Sequence, residues 1–354
     1  MFQFVVVWAA GPFLFESSRR SRYRTAVRVL LVGLIAAACA FQPIDSNSDR
    51  ETYQEIIRDI AASDWSFDGL MEPGFYLLTK SLSFVLGEET LQFAVYFVVA
   101  VLSISLKLRL FSKIGGALDF YFLVFFAYFF LLQDATQIRA AVAVPLIYFA
   151  ILAFLEHRPW VAIGCVVFAS LFHYSGLLAL LMFPLLDRRG GIKFALITAS
   201  LALLGFVAVL DRDIYLSGFS ALSTVVDLQK LQIYLDLLDQ GVFEKVNFLN
   251  RLAPHLVMLV SLLLLHRRWK DDTTMQILLQ TYVLGILLFI VLSPFPILAY
   301  RISDIFLFSG VLLAGRLSLH LRAKGLYRGF LILYSATFLI YAIWYSGIFI
   351  VDAS

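Results

Sequence analysis

Only two cysteines, Cys39 and Cys165, occur in 354 residues. Both lie in apolar runs far from polar neighbours, so they read as packing residues and support no disulfide or metal framework. Charge is scarce as well: 15% of residues are Asp, Glu, Lys or Arg, against about 25% in soluble domains. The net charge of +3 is too small to suggest nucleic acid. No Pro- or Ser-rich linker and no low-complexity stretch divides the chain, which reads as one membrane domain over 1–354. Phosphate-cradling glycine loops, zinc helix motifs and nucleophile elbows are missing, so no cofactor and no metal site is expected.

What is plentiful is apolar. Hydrophobic residues make up 61% of the chain and the mean hydropathy is +0.87. A bilayer core of roughly 30 Å needs about 20 apolar residues per helical span, and that pattern recurs along the sequence. The first apolar run, 2–15, has its basic residues after it, the reverse of a cleavable signal peptide, and is expected to stay as a span. The fold class is therefore all-α, a polytopic integral membrane protein with about 11–13 transmembrane helices.

The basic residues fall in short clusters. These are Arg19, Arg20, Arg22, Arg24 and Arg28; Lys107, Arg109 and Lys113; His157 and Arg158; Arg188, Arg189 and Lys193; Arg267, Arg268 and Lys270; and Arg316, Arg322, Lys324 and Arg328. The positive-inside rule assigns all six to the cytoplasm. Acids crowd the stretches from Asp45 to Glu72 and from Asp211 to Glu244, so loops at about 43–90 and 211–247 should face out. The expected spans are 2–15, 26–42, 91–106, 117–133, 138–155, 159–172, 175–187, 192–210, 248–265, 275–293, 301–315 and 329–350. The stretch 159–186 is too long for one upright helix and basic at both flanks. It reads as a hairpin with His173-Tyr174-Ser175-Gly176 at its tip, one long tilted helix being the rival. The stretch 73–87, holding Lys80 and several serines, reads as an interfacial or re-entrant helix on the outer face.

Ionisable residues at membrane depth are functional candidates, and here they gather at the outer ends of spans. Arg139 follows Gln133, Asp134, Thr136 and Gln137; His173 lies at the hairpin tip; Arg251 has Asn250 before it and His255 one turn later. Tyr300, Arg301 and Asp304 begin another span, and Asp45 and Asp49 follow the second span outward. Each has a plainer reading. A lone arginine at a span end serves as a snorkelling anchor. Arg301 and Asp304 are spaced for a helix-surface ion pair, and a histidine at a helix break commonly caps or packs. Glu51, Glu55 and Asp59 read as the solvated side of an amphipathic helix. Coincidence favours function: three spans start with an arginine on the face that the charge rule disfavours, and such arginines need an anionic partner. Asp211-Arg212-Asp213 looks like a metal-binding DxD, but an outward loop has no access to cytoplasmic nucleotide sugars.

One succession of residues points further. Ser48-Asp49 is followed four residues on by Tyr53, then come Glu72-Pro73-Gly74-Phe75, the run Gln137-Ile138-Arg139-Ala140-Ala141-Val142-Ala143, Phe172-His173-Tyr174-Ser175 and, late, Tyr300-Arg301. It resembles the EpsG family, the Wzy-like polymerases of bacterial exopolysaccharide and O-antigen chains. The likeness runs through most of the chain and is densest from Asp49 to Leu186; Ala140 departs from it, standing where the family often has Gln. The resemblance implies a glycosyltransferase of the bacterial cytoplasmic membrane, similar in outline to multi-spanning lipid-sugar transferases. It would move a glycan from undecaprenyl diphosphate onto another lipid-linked repeat on the extracytoplasmic side, without metal or cofactor. Its partners would be the two lipid-linked substrates and the bilayer, with a chain-length regulator and a flippase as candidate protein partners. The implied catalytic residues are His173, first choice as base, and Asp49. Arg139, Arg301, Tyr53, Glu72, Gln137 and Tyr300 are the implied substrate contacts, and Arg251 joins them from its place in the outer-face polar patch. An O-antigen ligase would share nearly all these features. A lipid-sugar flippase or exporter should instead line a midplane path open to both sides.

Overall fold

Helices form where the apolar runs predict them, and no strand occurs among the described residues. A computed structural model describes residues 2–19, 21–43, 47–63, 71–183, 192–210 and 248–344. The chain begins with α1 (Phe2–Ser18), α2 (Arg24–Ala40), α3 (Ser48–Ala62), α4 (Pro73–Ser83) and α5 (Glu88–Ile114). Next, α6 (Leu118–Val124) runs on into a π-helix, Phe125–Asp134, and α7 (Ile138–Leu155) and α8 (Pro159–Phe172) follow. A 3₁₀ turn, Tyr174–Leu177, leads into α9 (Leu178–Met182) and α10 (Ile192–Leu210). The remainder comprises α11 (Phe248–Leu264), α12 (His266–Trp269), α13 (Thr273–Val291), α14 (Pro296–Leu307), α15 (Ser309–Leu317) and α16 (Lys324–Trp344).

By length and composition, five of these stretches can cross a membrane: Glu88–Ile114, Ile138–Leu155, Thr273–Val291, Leu298–Leu317 and Lys324–Ile343. Pro159–Phe172, Leu196–Leu210 and Arg251–Leu264 are shorter apolar helices. The protein is thus all-α and polytopic, as its sequence predicts. It divides into two units, Met1–Phe183 with Ala314–Ser354 (unit 1) and Pro184–Leu313 (unit 2).

Unit 1 has two chemically different ends. At one, Lys113 pairs with Glu156 at 2.9 Å and Arg328 with Asp119 at 2.6 Å. Arg19 donates to the Gly116 carbonyl there at 2.6 Å, and Arg316 to that of Ile114 at 2.5 Å. These residues come from the basic clusters and their neighbours. At the other end, cations cap helix exits, where carbonyls lack intrahelical partners and the helix dipole is negative. Arg50 donates to Cys39 and Ala40, the last turn of α2, at 3.1 and 2.7 Å. Lys80 donates to the carbonyls of Ile60, Ala61 and Ser63 at the end of α3, at 3.2, 3.0 and 2.5 Å.

The acidic stretch before Glu72 folds as its pattern predicts. The Asn47 side chain caps α3 by accepting from the Arg50 N–H, with Asp49 and Glu51 in the first turn. Tyr53, Ile57 and Ile60 are buried, while Glu51, Glu55 and Asp59 are exposed. With 11 residues, α4 rises about 16 Å, too little to cross a bilayer. The expected hairpin break is present: α8 ends at Phe172 instead of continuing as one tilted helix. The second arm beyond Phe183, the loop 211–247 with its Asp211-Arg212-Asp213, and Arg20, Asp45, Arg188 and Arg189 lie outside the described residues.

Lys107 corrects the sidedness reading. Grouped by sequence with the cytoplasmic cations, it is fully buried, about two turns inside the end of α5. Its Nζ meets Asp134 Oδ2 at 2.5 Å, and the Ser103 hydroxyl donates to Asp134 Oδ1 at 2.5 Å. Neither charge could stay in apolar packing without the other, so the pair forms inside the unit.

Candidate functional site

The site is set up by backbone geometry in Glu72-Pro73-Gly74. Pro73 opens α4, where its fixed φ suits the first helical position and its missing N–H costs nothing. Gly74 lies against the end of α8. A Cβ built there would come within 2.7 Å of the Leu171 carbonyl oxygen, so only glycine permits this approach. Two residues beyond Leu171 the helix stops, and His173 takes an extended backbone, φ −156°, ψ 118°. That turns its side chain out of the helix toward Glu72, the residue just before α4.

Glu72 bridges an arginine and a histidine with one carboxylate. Its Oε2 accepts from Arg139 Nη1 in an ion pair, and its Oε1 lies 3.2 Å from His173 Nδ1. Arg139 sits in the first turn of α7, where Nε donates to the Tyr53 hydroxyl at 3.1 Å and Nη1 lies 3.3 Å from the Met71 sulfur. Its guanidinium also lies over the Tyr53 ring, 5.3 Å from the centroid. Tyr53 is held in turn by edge contacts with Phe75 and Tyr96. Tyr174 donates to the Met71 carbonyl at 2.9 Å, fixing the residue before Glu72.

The Glu72 side chain is 5% exposed, while those of Arg139 and His173 are each 19% exposed. A sealed carboxylate therefore backs two groups that remain open. Burial pushes the Glu72 carboxyl up, but the hydrogen bond from His173 and the charges of Arg139 and His173 outweigh it and hold it down at about 2. An ionised Glu72 can only accept, so Nδ1 of His173 donates in this bond, and the tautomer this bond selects holds its lone pair on Nε2. Nε2 and Arg139 Nη2 make no hydrogen bond among the described residues. The arrangement offers a base and a cation side by side.

Asp49 is half-buried one turn before Tyr53 on α3 and makes no hydrogen bond to Arg139 or His173. Gln137 is half-buried at the start of α7, its N–H donating to the Leu132 carbonyl at 2.9 Å. Within unit 2, Arg251 is 1% exposed and ion-paired to Asp304, with its guanidinium 5.1 Å from the Tyr300 ring centroid and 5.9 Å from that of Phe289. Asp304 thus pairs across helices and not with Arg301 three residues before it. Arg301 is half-buried and makes no ion pair among the described residues. The sequence pattern gives no site role to Arg50, Met71 or Tyr174. Tyr174 was the most accessible of these, since it adjoins His173 at the helix break.

The family model for the EpsG family matches residues 25–352. The chain belongs to the EpsG family. No curated protein and no solved structure matches it. Membership of the EpsG family, with the apolar helices above, makes this a multi-pass membrane protein with a polysaccharide-polymerase-like role. The Glu72–Arg139–His173 cluster of this EpsG-family chain joins three of the motifs that carry the sequence resemblance.

Proposed function

We propose that this chain is a Wzy-type polymerase working at the extracytoplasmic face of the bacterial cytoplasmic membrane. It moves a glycan from undecaprenyl diphosphate onto another lipid-linked repeat and releases the lipid diphosphate. The observation that carries the reading is the shared carboxylate, which holds a histidine and an arginine next to each other with one nitrogen of each left over. Nε2 of His173 takes the proton of the acceptor hydroxyl as its oxygen bonds to the anomeric carbon. The anomeric C–O bond breaks through an oxocarbenium-like state, and its electron pair leaves with the diphosphate. Arg139 meets that growing negative charge with a guanidinium already held in place by Tyr53 and Glu72, so little reorganisation is needed. Glu72 orients both groups and offsets the imidazolium as it forms.

A glycan gel from a deletion strain tests this. One repeat unit remaining on the lipid is the expected result. Absence of all lipid-linked glycan at the outer face would point instead to a flippase or an earlier step. Purified protein supplied with lipid-linked repeat in detergent should then build polymer with no other protein present.

A further inference from the structure

Between α2 and α5 of unit 1 runs a groove of about 640 Å³ that the reaction above does not use. Val29, Val32, Phe97 and Val101 make its walls apolar. Its lining includes Gly33, where a built Cβ would meet nothing within 4 Å. Toward the start of α2 and the end of α5 the groove turns cationic, with Arg28 and Arg109, and no carboxylate lines it anywhere. Arg28 donates through Nε to the Ser18 hydroxyl at 3.2 Å, which leaves its terminal nitrogens without a hydrogen bond among the described residues. Arg109 is exposed and makes no ion pair among them. From Phe97 to Ser112 the helix rises about 22 Å. One leaflet of hydrocarbon is about 15 Å deep, so the groove has room for an acyl chain with a head group beyond it.

We propose that this groove binds an anionic phosphoglyceride from the leaflet at the basic end of unit 1. Its phosphate lies between Arg28 and Arg109, and one acyl chain runs past Gly33 between Val32 and Val101. Guanidinium forks match phosphate oxygens, and basic pockets between spans recognise anionic head groups. A zwitterionic lipid brings its own cation to the two arginines and is disfavoured.

Full-length protein in neutral detergent, titrated with phosphatidylglycerol and separately with phosphatidylcholine, is followed by native mass spectrometry and thermal unfolding. Phosphatidylglycerol should be retained about fivefold or more over phosphatidylcholine and should raise the melting temperature. Arg109→Gln removes a head-group contact without breaking a protein ion pair, and should lower phosphatidylglycerol retention about fivefold while leaving phosphatidylcholine unchanged. Gly33→Leu occupies open space and should displace both lipids. Arg22→Gln, outside the groove, should alter neither. Equal retention of the two lipids, or wild-type behaviour in both Arg109→Gln and Gly33→Leu, overturns the proposal. So does displacement of phosphatidylglycerol by equimolar undecaprenyl diphosphate, because the groove would then serve the lipid of the reaction itself.

Discussion

Arg139 and Arg251 look alike in the sequence. Each opens an apolar helix on the expected outer side, and each is followed within one or two turns by further helical, apolar chain. The structure gives them the same partners in kind, a carboxylate and a tyrosine ring, but distributes exposure differently. Arg251 and Asp304 are 1% and 4% exposed and form an ion pair sealed from solvent. Arg139 keeps 19% exposure, and its carboxylate is shared with a histidine that is equally open. Two arginines chosen on one criterion therefore separate into a closed pair and an open cluster. An arginine at membrane depth thus acquires meaning from how its counter-ion is used. A carboxylate sealed in with one arginine compensates its charge; one divided between an arginine and a histidine holds the two in register.

The largest effect expected from the open cluster is chemical. His173→Gln keeps hydrogen-bonding capacity and size but loses the proton acceptor, so turnover should fall on the order of 10²–10⁴-fold. Protein in the membrane should stay near the wild-type level, and the lipid-linked single repeat should accumulate. Purified variant assayed in detergent separates this from a capping role, in which activity and folded protein decline together. Near-normal turnover would pass the base role to Asp49.

For the closed pair the large effect should be on stability. Arg251→Ala leaves Asp304 buried and uncompensated, at a cost of about 3–5 kcal/mol, read as lost expression and a lowered melting temperature. Replacing both partners by apolar residues, Arg251→Met with Asp304→Leu, should recover most of that loss, because the uncompensated Asp304 carboxylate is removed as well. The informative reading is polymerisation by the double variant. Stability recovered together with activity makes Arg251 a packing residue; stability recovered without activity returns Arg251 to the substrate.

The closed pair also shows what was legible beforehand. Apolar run length predicted the helices α1, α2 and α7, of which α7 is long enough to span, and alternating acids and apolar residues predicted the exposed and buried sides of α3. The helix break at His173 was legible from flanking charge and length. Pairings across helices were not. Asp304 has Arg301 at helical spacing, and nothing local says that Arg251, on a different helix, takes it. Lys107 and Asp134 were sorted to opposite faces because charge clustering ignores how far a side chain reaches. The π-helix that ends at Asp134, Phe-Phe-Ala-Tyr-Phe-Phe-Leu-Leu-Gln-Asp, contains no breaker to announce its changed winding.

Glu72 supplies a smaller, pH-resolved test of the open cluster. Its carboxyl is held at about 2 against an ordinary 4.5, a contribution on the order of 3 kcal/mol. A depressed value stabilises the fold fully above the ordinary value, and the contribution is lost as pH falls from about 4.5 toward 2. Wild type should therefore melt above Glu72→Gln by a constant margin from about pH 7 to 5, and the margin should shrink by about pH 3. A margin that persists undiminished at that pH would mean that the Glu72 charge is not what holds Arg139 and His173.

The smallest stability effect is expected at Arg301, and that makes it the sharpest probe of function. This side chain is half-buried and has no ion pair among the described residues, its neighbour Asp304 being committed to Arg251. Removing a charge that satisfies no buried partner leaves nothing uncompensated, so Arg301→Gln should shift stability by no more than about 0.5 kcal/mol. Any loss of polymer in that variant then reports on the substrate and not on the fold. Arg301→Lys divides the remaining roles. A guanidinium that grips diphosphate oxygens with its planar fork is poorly replaced by an ammonium, and activity should stay low. An arginine that serves only as an interfacial anchor is replaced well, and activity should return with Lys. If Arg301→Gln polymerises at the wild-type rate, the late Tyr300-Arg301 signpost carries no substrate contact, and the chemistry rests on Glu72, Arg139 and His173.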